Sequence, residues 1–325
     1  MKILIPGGAG YIGSVLATEL LKHGHELRVV DLLWFNRSTP LIHYSNPSYE
    51  FIRDDITKDE VIDRSLEGVD FVIYPAAVVG DPASNKYPEL TKETNEIAAK
   101  KIIKRASKYG LKGFVYFSTC SNYGISGDEL ANEDTNLNPL SLYAETKVNV
   151  ERYLQQEVSD MDWVIGRLST VYGIGPRMRF DLTVNEFALK GFMEKYIDIY
   201  RPESYRPYVH VYDLSRIINT IVDKFDGLKN NVFNIGFPGE NYKKIQIAEA
   251  VKKYLPDTQI DILKSGGDDR DYQVDFSKLH RFLDIDKVYD VDKSVEETIR
   301  ALEDKLFGDT SREVFSNTTP NFSWE

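Results

Sequence analysis

Short apolar runs alternate with helix-like patterns through the first half of the chain. This alternation predicts right-handed βαβ units and a parallel sheet with helices on both faces. Two apolar stripes at helical spacing predict helices, the first ending at Gly24 and the second at Gly110. The first stripe consists of Val15, Leu16, Leu20 and Leu21, and the second of Ile97, Ile102, Ile103 and Ala106. The predicted strands are residues 3–5, 27–30, 51–52, 71–74, 114–117 and 163–165.

After about Leu168 the alternation breaks, and loops, aromatic residues and arginines become more frequent before a predicted helix over residues 245–254. We therefore expect an α/β protein with a doubly wound parallel sheet over residues 1–168 and a smaller C-terminal lobe over 169–310. The boundary is expected to be interleaved, and residues 311–325 form a polar tail. No flexible linker separates the two parts, which favours close packing with a cleft between them.

Composition narrows the function classes. The 325 residues are 42% hydrophobic and 28% charged, as in a globular protein, and the net charge of -11 argues against a general nucleic-acid binder or a protein drawn to anionic membranes. The single cysteine, Cys120, cannot form an internal disulfide, and no spaced Cys/His set suggests a metal site. The N-terminus lacks signal-peptide features and no apolar run of roughly 20 residues occurs, so we expect a cytoplasmic protein.

The first strand leads into a glycine-rich loop at residues 7–13, which contains the spacing Gly8-x-Gly10-x-x-Gly13. Missing side chains permit a tight turn and close approach of a pyrophosphate, and the following helix N-terminus presents free N–H groups to the anion. A plain strand-to-helix turn is the alternative. The strand, loop and helix order favours a Rossmann-type dinucleotide site, with contacts from Gly7, Gly10, Tyr11, Ile12 and Gly13.

Asp31 ends the second strand, 18 residues after Gly13, where a carboxylate can accept hydrogen bonds from the adenosine ribose. Such a carboxylate repels a 2′-phosphate, which favours NAD over NADP, although Arg37 lies near enough to keep NADP open. Asp55 and Ile56 follow the third strand, where they could reach the adenine edge. A solvated loop acid is an equally good interpretation of Asp55.

Tyr143 and Lys147 lie four residues apart at the start of a predicted helix, on one face. A tyrosine that acts as a base near neutral pH must lose about 4 kcal/mol of its preference for the protonated form. The adjacent lysine would supply part of this, and the positive nicotinamide ring more. By itself the pair also fits an exposed helix face. Upstream, residues 114–117 lead to a turn rich in hydroxyl groups that includes Thr119, at the sheet edge where α/β proteins place ligands.

These elements together resemble the extended short-chain dehydrogenase/reductase family, in its NAD-dependent nucleotide-sugar epimerase/dehydratase branch. The resemblance covers most of the chain and departs at Pro6, where threonine is common. It rests on GGAGYIG, Asp31, Asp55-Ile56, FSTCSNYG, YAETK, RLSTVYGIGPR and YRPYVHVYDL.

The resemblance implies that Thr119 is the catalytic hydroxyl residue, Tyr143 the general base, and Lys147 the residue that binds the nicotinamide ribose. It also implies that Ala76, Ala77 and Asn95 belong to the cofactor site. Cys120 and Ser121 stand where dehydratase members carry an Asp-Glu pair, which disfavours water elimination. Cys120 is interpreted first as a small packed residue.

Arginines concentrated in the second lobe fit a nucleoside diphosphate. The resemblance favours Arg206 and Arg270 at the diphosphate or ribose, Asn185 at a phosphate, and Asp81 at a sugar hydroxyl, where a turn or helix cap is equally plausible. His210 is expected to be a packed residue. The five arginines are Arg177, Arg179, Arg201, Arg206 and Arg270.

The leading hypothesis is an NAD-dependent enzyme that forms a 4-keto intermediate on a UDP-, GDP-, CDP- or dTDP-linked sugar, with C4 epimerisation as its outcome. A nucleotide-sugar 4-dehydrogenase or 4-keto reductase is the alternative, and a catalytically silent NAD-binding scaffold or sensor is an alternative of another class. The resemblance also implies a homodimer formed through helices near residues 94–109 and 141–157.

Overall fold

The structure is a computed structural model that describes residues 1–35, 38–264, 266, 268–311 and 313–318. The strands are β1 Lys2–Pro6, β2 Glu26–Val30, β3 Tyr49–Ile52, β4 Phe71–Tyr74, β5 Gly113–Thr119, β6 Ile125–Ala131, β7 Trp163–Leu168, β8 Thr170–Tyr172, β9 Tyr196–Tyr200, β10 Tyr205–His210, β11 Asn231–Ile235, β12 Asn241–Lys243, β13 Gln259–Leu263 and β14 Asp271–Val274. The α-helices are α1 Tyr11–Lys22, α2 Asp59–Leu66, α3 Asp81–Lys86, α4 Pro88–Lys92, α5 Ala99–Ala106, α6 Leu142–Glu157, α7 Thr183–Glu194, α8 Val211–Asp223, α9 Lys244–Tyr254, α10 Ser277–Phe282 and α11 Val291–Glu303.

Within the described residues the largest sheet has seven parallel strands in the order β11-β7-β5-β4-β1-β2-β3. The chain adds β2 and β3 on one side of β1 and then returns to place β4 on the other side. At this reversal the carboxyl ends of β1 and β4 face a crevice, which is where doubly wound sheets bind ligands. The predicted Rossmann-type α/β fold is confirmed.

Helices cover both faces of this sheet. On one face α1 packs against α8, through Leu16, Leu20 and Ile218 among other fully buried residues. On the other face α2, α5 and α6 bury a second apolar layer, which includes Ile102 and Leu154. The strands are therefore buried on both sides, which explains why their sequences are continuous apolar runs rather than alternating ones.

The smaller lobe has its own core, in which α7, α9 and α11 bury Val184, Ile247 and Val295. Short sheets β8-β10-β12 and β9-β13 flank these helices, and β14 pairs with β6 of the first part. No helix in the described part of the chain is long and apolar enough to span a membrane.

The division at residue 168 stays a prediction. Residues 169–310 also contribute to the first part, because β11 joins the large sheet and α8 packs against α1 on one of its faces. One local expectation was wrong, since the apolar stripe that ends at Gly110 includes one misplaced residue. Ile97 lies in a π-helical turn, Glu93–Ala98, and is 43% exposed, whereas Ile102 and Ile103 are buried. A π turn takes more residues per turn, so it rotates Ile97 away from the face set by α5.

Candidate active site

The glycine-rich loop joins β1 to α1 with almost no room for side chains. A Cβ on Gly13 would lie 2.6 Å from the carbonyl oxygen of Gly7. Gly7 itself has a φ of +76°, and a Cβ there would lie 2.8 Å from Cα of Ala76. A Cβ on Gly10 would meet only the Gly7 carbonyl oxygen, at 3.2 Å. The loop backbone at Gly10, and the helix N-terminus that it caps, are therefore open to an anion.

A cleft of about 1190 Å³, its open mouth included, runs from this loop across the carboxyl ends of the strands. One end is lined by Asp31 and Phe35, and the other by Tyr143 and Lys147. The structure brings together these predicted cofactor residues along the cleft: Gly7, Gly10, Tyr11, Ile12, Gly13, Asp31, Asp55, Ile56, Ala76, Ala77, Tyr143 and Lys147.

Asn95 does not line the cleft. It is fully buried, accepts a hydrogen bond from the backbone N–H of Val78 at 2.7 Å, and donates one to the carbonyl oxygen of Val78 at 2.9 Å. A direct contact between Asn95 and the cofactor stays a prediction. Asn95 holds the loop after β4, and that loop forms the wall of the cleft.

Asp31 lies at the end of β2 beside the glycine loop. Its carboxylate accepts hydrogen bonds from the backbone N–H groups of Ala9, at 3.1 Å, and Leu33, at 2.8 Å. Burial raises its pKa, and these two hydrogen bonds act in the opposite direction. The carboxylate is thus fixed in orientation, with oxygen lone pairs left for ribose hydroxyl groups. Arg37, which kept NADP open, lies outside the described residues.

Asp55 and Ile56 also line the cleft, beyond β3. The carboxylate of Asp55 accepts a hydrogen bond from the backbone N–H of Thr57 at 2.9 Å, and so shapes its own turn. Ile56 is buried against the layer that contains α2 and α5. The turn role of Asp55 explains why a short carboxylate stands there, and contact with adenine stays a prediction.

The predicted catalytic residues meet at the far end of the cleft. Thr119 ends β5, and its Oγ1 accepts a hydrogen bond from the backbone N–H of Ser121 at 3.1 Å. Tyr143 and Lys147 lie on successive turns of α6, which is capped by Ser141. The Lys147 Nζ lies 5.9 Å from the centroid of the Tyr143 ring.

The acid–base properties of this pair differ from the expectation. Burial raises the pKa of Tyr143 to about 12, while Arg179, Arg270 and a hydrogen bond to Thr119 lower it. Lys147 is only 2% exposed, and burial lowers its pKa to about 7. The lysine was expected to lower the pKa of the phenol, but the positive charges that do so most are the two guanidinium groups.

A buried polar network lies directly under the catalytic turn. Glu151 of α6 accepts hydrogen bonds from Asn122, at 2.9 Å, from Ser118, and from the guanidinium of Arg167, at 2.8 Å. Glu151 and Arg167 are 1% and 4% exposed. Sequence reasoning missed these residues. The signal available was a glutamate four residues after Lys147 on the same helix face, which is too common to be specific.

On the substrate side of Tyr143, Arg270 joins three elements. Its guanidinium lies 2.6 Å from an oxygen of Asp268 and 3.0 Å from an oxygen of Asp81, and it donates a hydrogen bond to the hydroxyl of Ser121 at 2.9 Å. Arg206 lies 3.0 Å from Asp268. The structure therefore brings together three of the predicted substrate residues (Asp81, Arg206 and Arg270) close to the catalytic turn.

Asn185 is not with them. It is fully buried, its Oδ1 accepts a hydrogen bond from the backbone N–H of Gly173 at 3.0 Å, and its Nδ2 donates to the carbonyl oxygen of Arg179 at 2.9 Å. Its side-chain amide thus holds the segment after β8, and the phosphate contact of Asn185 stays a prediction. Arg177 and Arg179 of that segment line the dinucleotide cleft rather than the substrate side.

Cys120 and His210 both occupy packed positions. Cys120 is fully buried, its thiol donates a hydrogen bond to the carbonyl oxygen of Arg167 at 3.2 Å, and burial raises its pKa above the ordinary value. His210 stacks on Tyr289 with 4.0 Å between the ring centroids, and burial lowers its pKa to about 3. The Cys120 thiol is therefore protonated and the His210 imidazole neutral, and both side chains pack in the interior, as expected from the sequence.

The cleft fits a dinucleotide on grounds of its own geometry. Glycines 7 and 13 leave no space for a side chain, an oriented carboxylate stands at Asp31, and a tyrosine and lysine lie at the other end. Fold and site together define the class of a dinucleotide-dependent oxidoreductase, and the acid–base role of Tyr143 stays a prediction.

The chain belongs to the NAD dependent epimerase/dehydratase family, whose model matches residues 3–236. This membership confirms the predicted family, the predicted NAD cofactor and the prediction that the protein is an enzyme. A UDP-glucose 4-epimerase of Lactobacillus helveticus is 28% identical over 87% of this chain and 91% of its own length. A UDP-glucuronic acid decarboxylase of Arabidopsis thaliana is 29% identical over 83% of this chain and 62% of its own length.

A solved structure of similar fold is the UDP-glucuronic acid 4-epimerase from Bacillus cereus in complex with UDP-glucuronic acid and NAD. It has a TM-score of 0.83 and 25% identity, and the match covers 93% of this chain and all of that one. Close relatives and structural neighbours are thus NAD-dependent UDP-sugar 4-epimerases, and decarboxylases also occur among them.

Proposed function

We propose that the protein is an NAD-dependent C4 epimerase of a UDP-linked sugar. The observation that carries the proposal is the position of Thr119 and Tyr143, between the nicotinamide end of the dinucleotide cleft and the cluster of Asp81, Arg206 and Arg270. The UDP group is supported by the substrates named for the relatives and for the structural neighbour.

Bound NAD supplies the hydride acceptor and, in the return step, the donor. Tyr143 takes the proton from the C4 hydroxyl as the C4–H bond breaks with its electron pair, so that a 4-ketone forms. Thr119 lies within hydrogen-bonding reach of the phenol and orients the same hydroxyl. The proton returns from Tyr143 to the ketone oxygen as the C4–H bond re-forms on the opposite face.

The phenol needs help to act as a base, because its pKa of about 12 in the free protein keeps it protonated near neutral pH. Arg179 and Arg270 lower this pKa, and an oxidised nicotinamide at this end of the cleft would lower it further through its positive charge. A neutral, reduced ring would leave the pKa of Tyr143 high, which suits proton return to the ketone. The same tyrosine thus serves both half-reactions.

The decarboxylases among the relatives support a second candidate, oxidative decarboxylation of a UDP-linked uronic acid. It begins with the same C4 oxidation and then loses the C6 carboxyl group as carbon dioxide. The positive charge of Arg270 beside the sugar position favours an anionic sugar, whether the product is a C4 epimer or a pentose. The ion pairs of Arg270 with Asp81 and Asp268 partly offset that charge.

The test uses the purified full chain and sugars deuterated at C4, with UDP-glucose and UDP-glucuronic acid first and GDP-, CDP- and dTDP-sugars as comparisons. We expect NMR to show the C4 epimer of a UDP-sugar with deuterium retained, and no lasting absorbance of NADH. A pentose product with carbon dioxide identifies the decarboxylase, and stoichiometric labelled NADH identifies a dehydrogenase. Either outcome overturns the proposal, as does turnover unchanged in Tyr143→Phe.

A further inference from the structure

Arg177 is a buried cation in the wall of the dinucleotide cleft. It follows β8 on the segment from the smaller lobe, and it is 2% exposed. It lines the same cleft as Gly10, Tyr11 and Asp31. From sequence it belonged with the arginines expected at the substrate diphosphate, so its position at the cofactor end needs a different explanation.

The contacts of its guanidinium leave the charge uncompensated. The group lies 4.3 Å from the centroid of the Phe35 ring, and its Nη2 donates a hydrogen bond to the carbonyl oxygen of Ser316 at 3.2 Å. Its buried Nε has no hydrogen-bond partner among the residues that the structure describes. Within those residues, no carboxylate oxygen comes within 4.0 Å of its nitrogens, whereas Arg179 pairs with Asp181 at 2.9 Å.

Electrostatics agree with this geometry. Burial and the neighbouring Arg179 lower the pKa of Arg177 to about 9, and the more distant Asp181 and Asp31 only partly offset them. Placing a cation in the interior without a paired anion is costly, so such groups are usually paired with an anion or with a ligand. An anionic ligand in the cleft would supply the missing charge.

The position of Arg177 selects which anion. Outside its own segment, two titratable groups affect the pKa of Arg177. They are Asp31, the carboxylate predicted to contact the adenosine ribose, and Tyr11, the first residue of α1. A dinucleotide that lies on the glycine loop has its pyrophosphate at this helix N-terminus, between the adenosine ribose and the nicotinamide. Arg177 lines the same cleft as this helix N-terminus and interacts electrostatically with Tyr11 and Asp31, so a pyrophosphate bound there is the anion nearest to hand.

We propose that Arg177 binds the pyrophosphate of the NAD cofactor and closes the cleft over it from the smaller lobe. The glycine loop supplies neutral N–H donors on one side, and Arg177 supplies the positive charge on the other. The cofactor is thereby held between the two lobes rather than by the Rossmann domain alone.

The C-terminal segment fixes this arginine in place. The carbonyl oxygen of Phe315 accepts a hydrogen bond from the backbone N–H of Phe180 at 2.9 Å, and the N–H of Asn317 donates to Asp181 at 2.8 Å. Asn317 itself lines the cleft. Residues 315–317 thus form an outer wall that orients the arginine segment toward the cofactor.

The test compares Arg177→Met with Arg281→Ala, which removes an exposed arginine on α10 and serves as the charge control. Binding of NAD, ADP-ribose, adenosine and NADP to cofactor-free protein is measured by calorimetry. We expect Arg177→Met to lose at least tenfold in affinity for NAD and for ADP-ribose, with adenosine affected less than twofold. The salt dependence of NAD binding should also weaken, and Arg281→Ala should match the unmodified protein.

Thermal stability of the cofactor-free protein separates a ligand contact from a structural role. Removal of an unpaired buried charge should leave its Tm unchanged or higher, while the increase in Tm that NAD produces becomes smaller. The proposal is overturned if Arg177→Met binds NAD within twofold of the unmodified protein. It is also overturned if the variant has both a lower Tm without cofactor and a lower affinity for UDP, since that would indicate general structural damage. A loss confined to NADP overturns it as well, since Arg177 would then face the 2′ position.

Discussion

The Nζ of Lys147 donates a hydrogen bond to the carbonyl oxygen of Phe117 at 2.8 Å, and this contact ties α6 to the end of β5. It positions the helix that carries Tyr143 against the strand that carries Thr119. The same nitrogen lies 5.0 Å from the centroid of the Tyr116 ring. The lysine therefore has a positioning role in the free protein, in addition to the ribose contact that we predict for it.

Lys147 should make folding stability depend on pH. Its pKa is about 7 in the folded protein and 10.5 ordinarily, so between these values the unfolded chain binds a proton that the folded chain does not. Stability should therefore rise with pH in this window, by up to about 1.4 kcal/mol per pH unit. Urea unfolding at pH 7 and 8.5 should show this rise, and Lys147→Met should remove most of it. An equal rise in both proteins would contradict the assignment.

Replacement of Tyr143 by phenylalanine should lower kcat by about 10²- to 10⁴-fold, the usual contribution of a positioned acid–base group. NAD binding should change little, since the ring remains and only the hydroxyl is lost. Single-turnover assays with C4-deuterated substrate give the rate, and NAD titration gives the control. A variant that keeps more than a tenth of the activity would rule out the phenol as the base.

Glu151 should be a stability residue rather than a catalytic one. Glu151→Ala leaves the buried guanidinium of Arg167 without its carboxylate, and breaking such a pair costs about 3–5 kcal/mol. The double variant Glu151→Leu with Arg167→Met removes both charges and should recover part of the loss. Chemical denaturation of the three proteins, each also assayed for activity, measures the effect. Equal loss in the double variant would argue against an unpaired charge as the cause.

Arg270 should affect substrate binding and the pH profile together. Arg270→Met removes the contacts to Asp81 and Ser121, so KM for the nucleotide sugar should rise at least tenfold while NAD affinity stays the same. Because Arg270 lowers the pKa of Tyr143, its loss should move the acidic limb of the kcat profile to higher pH. Arg201→Ala, an exposed arginine paired with Asp269, is the matched control. An unchanged KM would remove Arg270 from the substrate site.

Much of the cofactor site could be predicted from sequence because its requirements are local. The glycine loop, Asp31 and the Tyr143–Lys147 pair depend on backbone shape and on spacing within one strand, turn or helix. The exceptions were residues whose role depends on contacts distant in sequence. Asn95 and Asn185 match the family pattern, and only the structure shows that each also hydrogen bonds to the backbone of a loop.

The sequence by itself determined the α/β alternation, the dinucleotide loop and the placement of Tyr143 and Lys147 on one helix, since periodicity and short-range spacing carry that information. Only the tertiary structure decided that β11 returns to the large sheet, that the groups lowering the pKa of Tyr143 include the guanidinium groups of Arg179 and Arg270, and that Arg177 lines the dinucleotide cleft. Strand pairing, burial and electrostatic interactions depend on contacts between residues that are far apart in the sequence, and no local pattern specifies those contacts.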